Sequence, residues 1–378
     1  MYLLKLSSPH SNYPAALNYF SEETMADLPE DLLIQILLNL PVKSLVRFRC
    51  VSKHWCNLIR SPEFINMHLD HEKRDETILV KRFHKGAAET SLPLHADKLL
   101  DPFLQNLEIP GLDFVVAESI LQSSCNGLIC ISPDHKNYYV FNPALHELKQ
   151  IPTRPFDAAV ASKPFIGKVG FGFDPTTNHY KVVSLEKFED DKINIPLRCF
   201  QPRIYNLSTD SWREIDDEIP SLIDGPYSQV LFKGRCHWVA NHMSIFSFDF
   251  STEVFGVMEL PDPILLENNG EYTSLSVLNQ SFSLIQHAED NRHDQRTDIW
   301  VMEEYGVKES WAKYYSIQFA IDRPLTFWND ILFVQGRYGR LVSLSLCTTE
   351  DEATAFPIFA EDFTMEIVNY RESLVSFK

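Results

Sequence analysis

The stretch that most constrains this chain is Leu32-Leu33-Ile34-Gln35-Ile36-Leu37-Leu38-Asn39-Leu40, where only Gln35 and Asn39 are polar and which Pro29 and Pro41 bracket. Asp27 is a candidate N-cap, Pro29 sits near the first helical position, and Glu30 and Asp31 suit the positive end of a helix dipole. A short helix that Pro41 stops is therefore expected. It is apolar nearly all round, so it has to be buried on more than one side. Three further short helices follow from the pattern: Val42–Val51, about Lys53–Arg60 with Trp55, Leu58 and Ile59, and one restarted by Pro62 with Phe64, Ile65 and Leu69. The whole module is only about 45 residues. A domain that small hides a modest fraction of its surface. Either the rest of the chain covers its leucines or a partner does.

Charge divides the chain in the same place. Residues 1–70 carry six basic and seven acidic side chains; of the 34 and 52 in the whole chain, 28 and 45 are left for residues 71–378. Nearly all of the net charge of −18 thus belongs to the second region. Such a surface repels phosphate backbones and argues against nucleic-acid binding. No run of about 18 apolar residues is present, which argues against a membrane-spanning helix. The N-terminus holds Lys5, Pro9, His10 and Pro14 and does not read as a signal peptide. Seven scattered cysteines (50, 56, 125, 130, 199, 236 and 347) fit reduced thiols. The expected compartment is the cytosol, with the nucleus second, and the sequons at Asn206 and Asn279 are then not expected to be used.

The residues Leu28-Pro29-Glu30-Asp31-Leu32, Ile36-Leu37, Leu40-Pro41-Val42-Lys43-Ser44-Leu45, Arg49-Cys50-Val51-Ser52-Lys53-His54-Trp55 and Leu58-Ile59 stand in the order and spacing of an F-box. The module, about residues 25–70, resembles that family throughout its length. F-boxes bind the adaptor Skp1, which joins them to a cullin–RING ubiquitin ligase. The resemblance therefore supplies a partner for the surplus leucines. It implies Leu28, Pro29, Leu32, Leu33, Ile36, Leu37, Pro41, Leu45, Val46 and Trp55 as Skp1-contact or core positions. Met25 opens such a module in the usual way, so residues 1–24 are expected to be a flexible extension or an upstream start.

Beyond about Asp70 the text becomes strand-like: short Val, Ile, Phe, Tyr and Trp runs broken by Pro, Gly, Asn, Asp and Ser. A weak repeat aligns Phe141-Asn142, Phe173-Asp174, Tyr205-Asn206 and Phe248-Asp249, each followed by turn residues and then an aromatic or Leu that opens the next strand. In each, the Asx side chain is expected to bond its own backbone, and the aromatics to pack one blade on another. The anchors lie 32, 32 and 43 residues apart. Propeller blades take about 40–45 residues, so roughly six or seven would fit. A β-propeller is expected over residues 71–378, and a large β-sandwich is the alternative. The whole chain would then be an α+β multidomain protein: a small all-α head followed by an all-β, kelch-like propeller.

This region is similar to the F-box-associated domain of plant F-box proteins, although the Gly-Gly doublets of strict kelch repeats are absent. The resemblance runs through Val169-Gly170-Phe171-Gly172-Phe173-Asp174, Asn178–Val183, Leu207–Glu214, His237-Trp238, Asp249–Phe255 and Ile299–Trp311. It sharpens toward S-locus F-box proteins, the pollen-side determinants of self-incompatibility. That implies a substrate receptor of a Skp1–cullin–F-box ligase, partnered through the adaptor with cullin-1 and a RING protein. Its target would be a basic protein such as a pistil S-ribonuclease, marked for degradation. An F-box-associated receptor for another protein, and an F-box scaffold outside ubiquitination, are the alternatives.

Sharper chemistry finds little support in the residues. Cys125 and Cys130 have four residues between them, which suits neither a zinc knuckle nor a redox pair, and a buried strand after the Gly127 turn is the expected reading. Gly167, Gly170 and Gly172 run from strand to turn with no helix after them, unlike a phosphate loop. His237 and Trp238 read as core or rim. No nucleophile–base–acid set emerges, so no catalytic residue, metal or cofactor is expected, nor any enzyme activity of the chain's own. The acidic stretches Glu186–Asp191 and Glu289–Asp298 are expected to be solvated connections, or to attract a basic partner. Loops at 84–110, 186–202 and 262–272 are the candidates for reading the target.

Overall fold

The structure, a computed structural model, describes residues 29–71, 77–84, 87–94, 105–106, 120–132, 137–152, 164–188, 199–217, 229–240, 244–262, 272–289, 295–318, 321–346, 353–360 and 365–377. Residues 1–24, expected as an extension, and Asp27 and Leu28 lie outside that set. The chain divides into two compact units, Met1–Lys73 and Arg74–Lys378.

The first unit is helical. Helix α1 (Glu30–Leu38) has Pro29 as its N-cap, in extended backbone, rather than Asp27. Glu30 and Asp31 occupy the first turn, where the exposed N–H groups favour negative charge. At the other end the Asn39 side-chain amide donates to the Gln35 carbonyl at 2.7 Å. Pro41 then caps α2 (Val42–Phe48). This helix is shorter than the pattern implied, because Arg49–Val51 form the turn that delivers Ser52 in extended backbone as the next cap. The Ser52 hydroxyl accepts the Trp55 N–H at 3.2 Å and starts α3 (Lys53–Arg60). The Ser61 hydroxyl accepts the Phe64 N–H at 3.1 Å and starts α4 (Pro62–Asp70). Leu33, Leu37, Val42, Leu45, Ile59 and Phe64 form the buried centre of this unit. Phe64 stacks on buried His68.

The second unit is a β-propeller. Among the described residues it holds six four-stranded antiparallel sheets. Five are local in the chain, spanning residues 120–151, 164–214, 229–259, 272–317 and 321–359. The sixth is not. There Glu366–Tyr370 pairs with Thr77–His84, in register from Thr77 against Tyr370 to Lys81 against Glu366. Ala87–Leu94 and Gln105–Asn106 complete that sheet. One blade thus joins the two ends of the unit, which closes the ring.

The core lies between neighbouring sheets. Val183, Leu185 and Ile204 of one sheet pack on Cys236, Trp238, Phe246, Phe248 and Phe250 of the next. At the seam, Ile78 and Val80 pack on Trp328, Phe333, Phe356 and Ile358. Gly172 is required by this packing, since a Cβ there would stand 2.3 Å from the Phe250 ring. Residues 371–377 continue past the closing strand as a strap along the sheet of residues 120–151. Buried Asn142 donates to the carbonyls of Ser373 and Val375 at 3.2 and 2.7 Å, and the Glu147 carboxylate accepts the Phe377 N–H at 3.0 Å.

Two sequence expectations need correction. The Asx anchors do not fall one to a blade: Asp174 and Asn206 close two hairpins of the same sheet, Pro164–Asp174 to His179–Phe188 and Cys199–Asn206 to Ser211–Glu214. The chemistry that closes such a turn is local, so it serves a first–second hairpin as well as a third–fourth one. The acidic stretch ending at Asp298 is not wholly a solvated connection either. Gln295–Met302 is a strand, and Asp298 is buried with Lys313 Nζ at 2.6 Å.

Candidate functional surfaces

On α1 the apolar residues split by spacing. Leu33 and Leu37, one turn apart, face inward and are buried. Leu32 and Ile36, also one turn apart, are 47% and 52% exposed. Pro29 lies three residues before Leu32 and is exposed as well. The helix is therefore two-sided in use although it is apolar all round in sequence. Among the other positions that the F-box resemblance implied, Leu45 is buried, Val46 and Trp55 are half-buried, and Pro41 is exposed. Trp55 meets Phe48 edge-on, with ring centroids 5.5 Å apart. Val51 and Met67 are also exposed and were not among those positions. Val51 nonetheless stands within the F-box-like run Arg49–Trp55.

On the propeller, polar groups are locked between blades. The four Asx anchors behave as expected: the Asn142, Asp174, Asn206 and Asp249 side chains accept the N–H groups of Ala144, Thr176, Ser208 and Ser251 at 2.8 to 2.9 Å. The residue four places after each anchor (His146, Asn178, Asp210 and Glu253) takes left-handed backbone. Lys181 is buried, and its ammonium reaches Asp174 at 2.6 Å, the Phe250 carbonyl at 2.9 Å and Glu253 at 2.8 Å. Arg213 pairs with the other oxygen of Glu253. Burial pushes the Asp174 carboxyl up. The Lys181, Thr176 and Thr177 bonds outweigh that and hold it well below the usual carboxylate range.

A second inter-blade device recurs. The Trp212 indole donates to the Pro152 carbonyl at 2.9 Å, and the Trp311 indole to the Glu259 carbonyl at 3.2 Å. Each joins an outer strand to the end of the preceding sheet's outer strand. His237 and Trp238 are core residues. The His237 Nδ1–H donates to the Val230 carbonyl at 3.3 Å, which leaves Nε2 to accept the Tyr305 hydroxyl at 2.7 Å. Burial lowers the His237 pKa to about 4, and nearby Arg235 adds to that. Cys125 and Cys130 flank the Asn126-Gly127 turn as expected, and burial pushes both thiols up to about 12. Thiols that resist ionisation are poor nucleophiles and poor metal ligands. Most of the candidate target-reading loops at 84–110, 186–202 and 262–272 lie outside the described residues, and the described parts of the first two are strand rather than loop: 84, 87–94, 105–106, 186–188 and 199–202.

Among the described residues, no helix is long and apolar enough to cross a membrane. A capped four-helix module with a one-sided apolar surplus, followed in the chain by a closed propeller of four-stranded sheets, defines a two-unit class of protein. The F-box domain model matches residues 25–66, and the F-box associated beta propeller domain model matches residues 103–376. The second match covers more than half of the chain, which belongs to the F-box proteins with an associated β-propeller. Curated relatives agree. The chain is similar to the F-box protein CPR1 of Arabidopsis thaliana, 27% identical over 346 residues that cover 81% of this chain and 78% of that one. An F-box/kelch-repeat protein of the same plant is 28% identical over 341 residues, covering 85% of this chain and 88% of the relative. An F-box/LRR-repeat/kelch-repeat protein, also from Arabidopsis thaliana, is 28% identical and covers 79% of each chain.

Proposed function

We propose that this chain is the substrate-recognition subunit of a Skp1–cullin–RING ubiquitin ligase: the helical unit docks a Skp1-like adaptor and the propeller captures a protein target. The observation that carries this reading is the split of α1. Leu33 and Leu37 are held inside the unit, while Leu32 and Ile36 stand exposed one turn apart. Leu32 and Ile36 are each already about half covered, so burying the remainder stabilises a complex by roughly 1 kcal/mol apiece. In this reading Pro29, Leu32, Ile36 and Pro41 are the adaptor contacts, and Leu33, Leu37 and Leu45 hold the helices behind them. Val46 and Trp55 flank the contact. The chain supplies proximity and orientation to a transfer whose thioester belongs to the conjugating enzyme.

The test is co-purification of a Skp1-like adaptor with Leu32→Asp and Ile36→Asp variants. Adaptor binding should be lost in both while the thermal unfolding of the chain stays unchanged. Undiminished binding by both variants would overturn the assignment.

A finer reading concerns the target. Residues 71–378 carry 45 acidic against 28 basic side chains, and the motifs quoted from the sequence resemble those of S-locus F-box proteins. Both features fit a basic protein such as a pistil S-ribonuclease. Association with such a protein should slow steeply with added salt. A salt-independent association rate would remove the electrostatic support.

A further inference from the structure

The described residues hold ten non-glycine positions in left-handed backbone. Five are Asn or Asp (126, 178, 210, 279 and 329), which tolerate that conformation. Tyr338, at φ 63° and ψ 27°, is the aromatic among them. A bulky residue there is strained. Packing does not explain its presence, because Tyr338 is 90% exposed.

Its surroundings are rigid. Tyr338 lies in the turn Arg337–Gly339, which links the second and third strands of the sheet spanning 321–359, at the opposite end of that sheet from the Asn329-Asp330 turn. The Ala360 N–H donates to the Gly339 carbonyl at 2.9 Å. Gly339, at φ 70°, has no room for a side chain, as a Cβ would stand 1.8 Å from the Ala360 carbonyl oxygen. Arg340 donates from Nε to the Phe356 carbonyl at 3.0 Å and lays its guanidinium over the Phe359 ring at 5.6 Å. Phe359 is itself 39% exposed.

The charge of this turn runs against its domain. Arg337 is exposed and Arg340 half-exposed, and neither has an ion-pair partner among the described residues, in a chain with 52 acidic side chains against 34 basic ones. Two guanidinium groups with no ion pair among the described residues, beside a held tyrosine and an exposed phenylalanine, have the composition of an interface hot spot. Guanidinium forks select carboxylates bidentately. A turn pinned in advance also loses little freedom on binding.

We propose that the Arg337–Gly339 turn, with Arg340 and Phe359, is a preformed contact for an acidic, apolar-bearing segment of the target protein, a proposal that rests on the receptor reading above but not on the target's overall charge. The acidic domain sets the long-range field, whereas this turn sets the short-range register. An acidic patch on the surface of a basic partner satisfies both.

The test uses the full chain bound to its adaptor and two short fluorescein-labelled peptides, identical apart from Glu or Lys at the charged positions and each carrying one Phe. Anisotropy should show tighter binding of the Glu peptide despite the negative domain. Tyr338→Asn and Arg337→Glu should each weaken that binding about tenfold or more. Because Asn accepts left-handed backbone, Tyr338→Asn should also raise the thermal midpoint. Preference for the Lys peptide, unchanged binding by both variants, or a lower midpoint for Tyr338→Asn would overturn the proposal. Adaptor retention, read on the same preparations, reports separately on the receptor reading.

Discussion

The two units handle the same chemistry in opposite ways. In the propeller, Trp238, Tyr205, Phe171, Phe246, Phe248 and Phe250 are all fully buried, because every sheet finds a neighbour on each side. In the helical unit, α1 leaves Leu32 and Ile36 about half exposed. Polar groups are reversed as well. The helical unit's capping residue Ser52 sits at the surface, whereas the propeller takes Lys181 and Asp174 inside. In a closed ring each sheet is covered by its neighbours, and buried charges such as Lys181 and Asp174 lock the blades. A small open module keeps one face for something else.

The sharpest way to break this comparison is to exchange inside for outside on one helix. Leu37 is fully buried, and Leu37→Asp places a charge in the apolar centre formed with Leu33, Leu45, Ile59 and Phe64. The lost packing and the buried carboxylate together should cost on the order of 5 kcal/mol, more than so small a unit is expected to withstand. Limited proteolysis should then cut within residues 30–70 while the propeller stays resistant, and adaptor binding should vanish with the fold. Ile36→Asp, one position earlier, should lose the adaptor yet keep its protease resistance. If both variants behaved alike, the two-sided use of α1 would be wrong.

The blade lock comes next. Lys181→Met removes the cation that held Asp174 and Glu253 within 2.8 Å and strands buried Asp174, while Arg213 still pairs with Glu253. Breaking a buried pair by removing one partner costs about 3–5 kcal/mol, and the Thr176 and Thr177 bonds that stay on Asp174 put this case at the lower end. Denaturant unfolding of the propeller should show that loss, with adaptor binding untouched. A variant within about 0.5 kcal/mol of the parent would show the cluster to be mere surface decoration.

How much of this was legible in the residues follows from how local each device is. The Asx turns were readable at Asn142, Asp174, Asn206 and Asp249, because each side chain bonds backbone only two residues ahead. Their allocation to blades was not. Asp174 and Asn206 share a sheet, and sheet membership depends on pairing between distant strands. The helix boundaries were legible from Pro29, Pro41 and Pro62, whereas the Ser52 cap and the three-residue turn after Phe48 were not singled out. The division of α1 into buried and exposed leucines was not legible either, since a helix apolar nearly all round carries no preferred face. Lys181 was hidden for a related reason. A lysine that opens a strand looks solvent-facing until a turn from the next sheet, carrying Glu253, is laid over it. Tyr338 gave no signal beyond the flanking Gly336 and Gly339, because its strain is a matter of backbone angle and not of composition.

The smallest effect concerns His237, and it separates the units by pH. Its folded pKa of about 4 lies below the unfolded value of about 6.5, because burial disfavours the imidazolium. Above about pH 6.5 both states are neutral and the residue contributes nothing to the pH dependence. Below that, the unfolded chain takes up a proton that the folded chain refuses, so stability falls by up to about 1.4 kcal/mol per pH unit until about pH 4. At pH 5 the accumulated loss is about 2 kcal/mol. His237→Phe removes the titrating ring while keeping an aromatic against Phe282, which lies 4.7 Å away between ring centroids. Propeller stability in the variant should therefore vary less between pH 7 and pH 5, by about the same 2 kcal/mol, whatever its absolute value at neutral pH. The helical unit should show no such difference between parent and variant, because His237 belongs to the other unit. Parallel pH profiles for the two propellers would mean that His237 takes up its proton in the fold as readily as in the unfolded chain. The Tyr305 hydroxyl would then have turned to accept from Nε2.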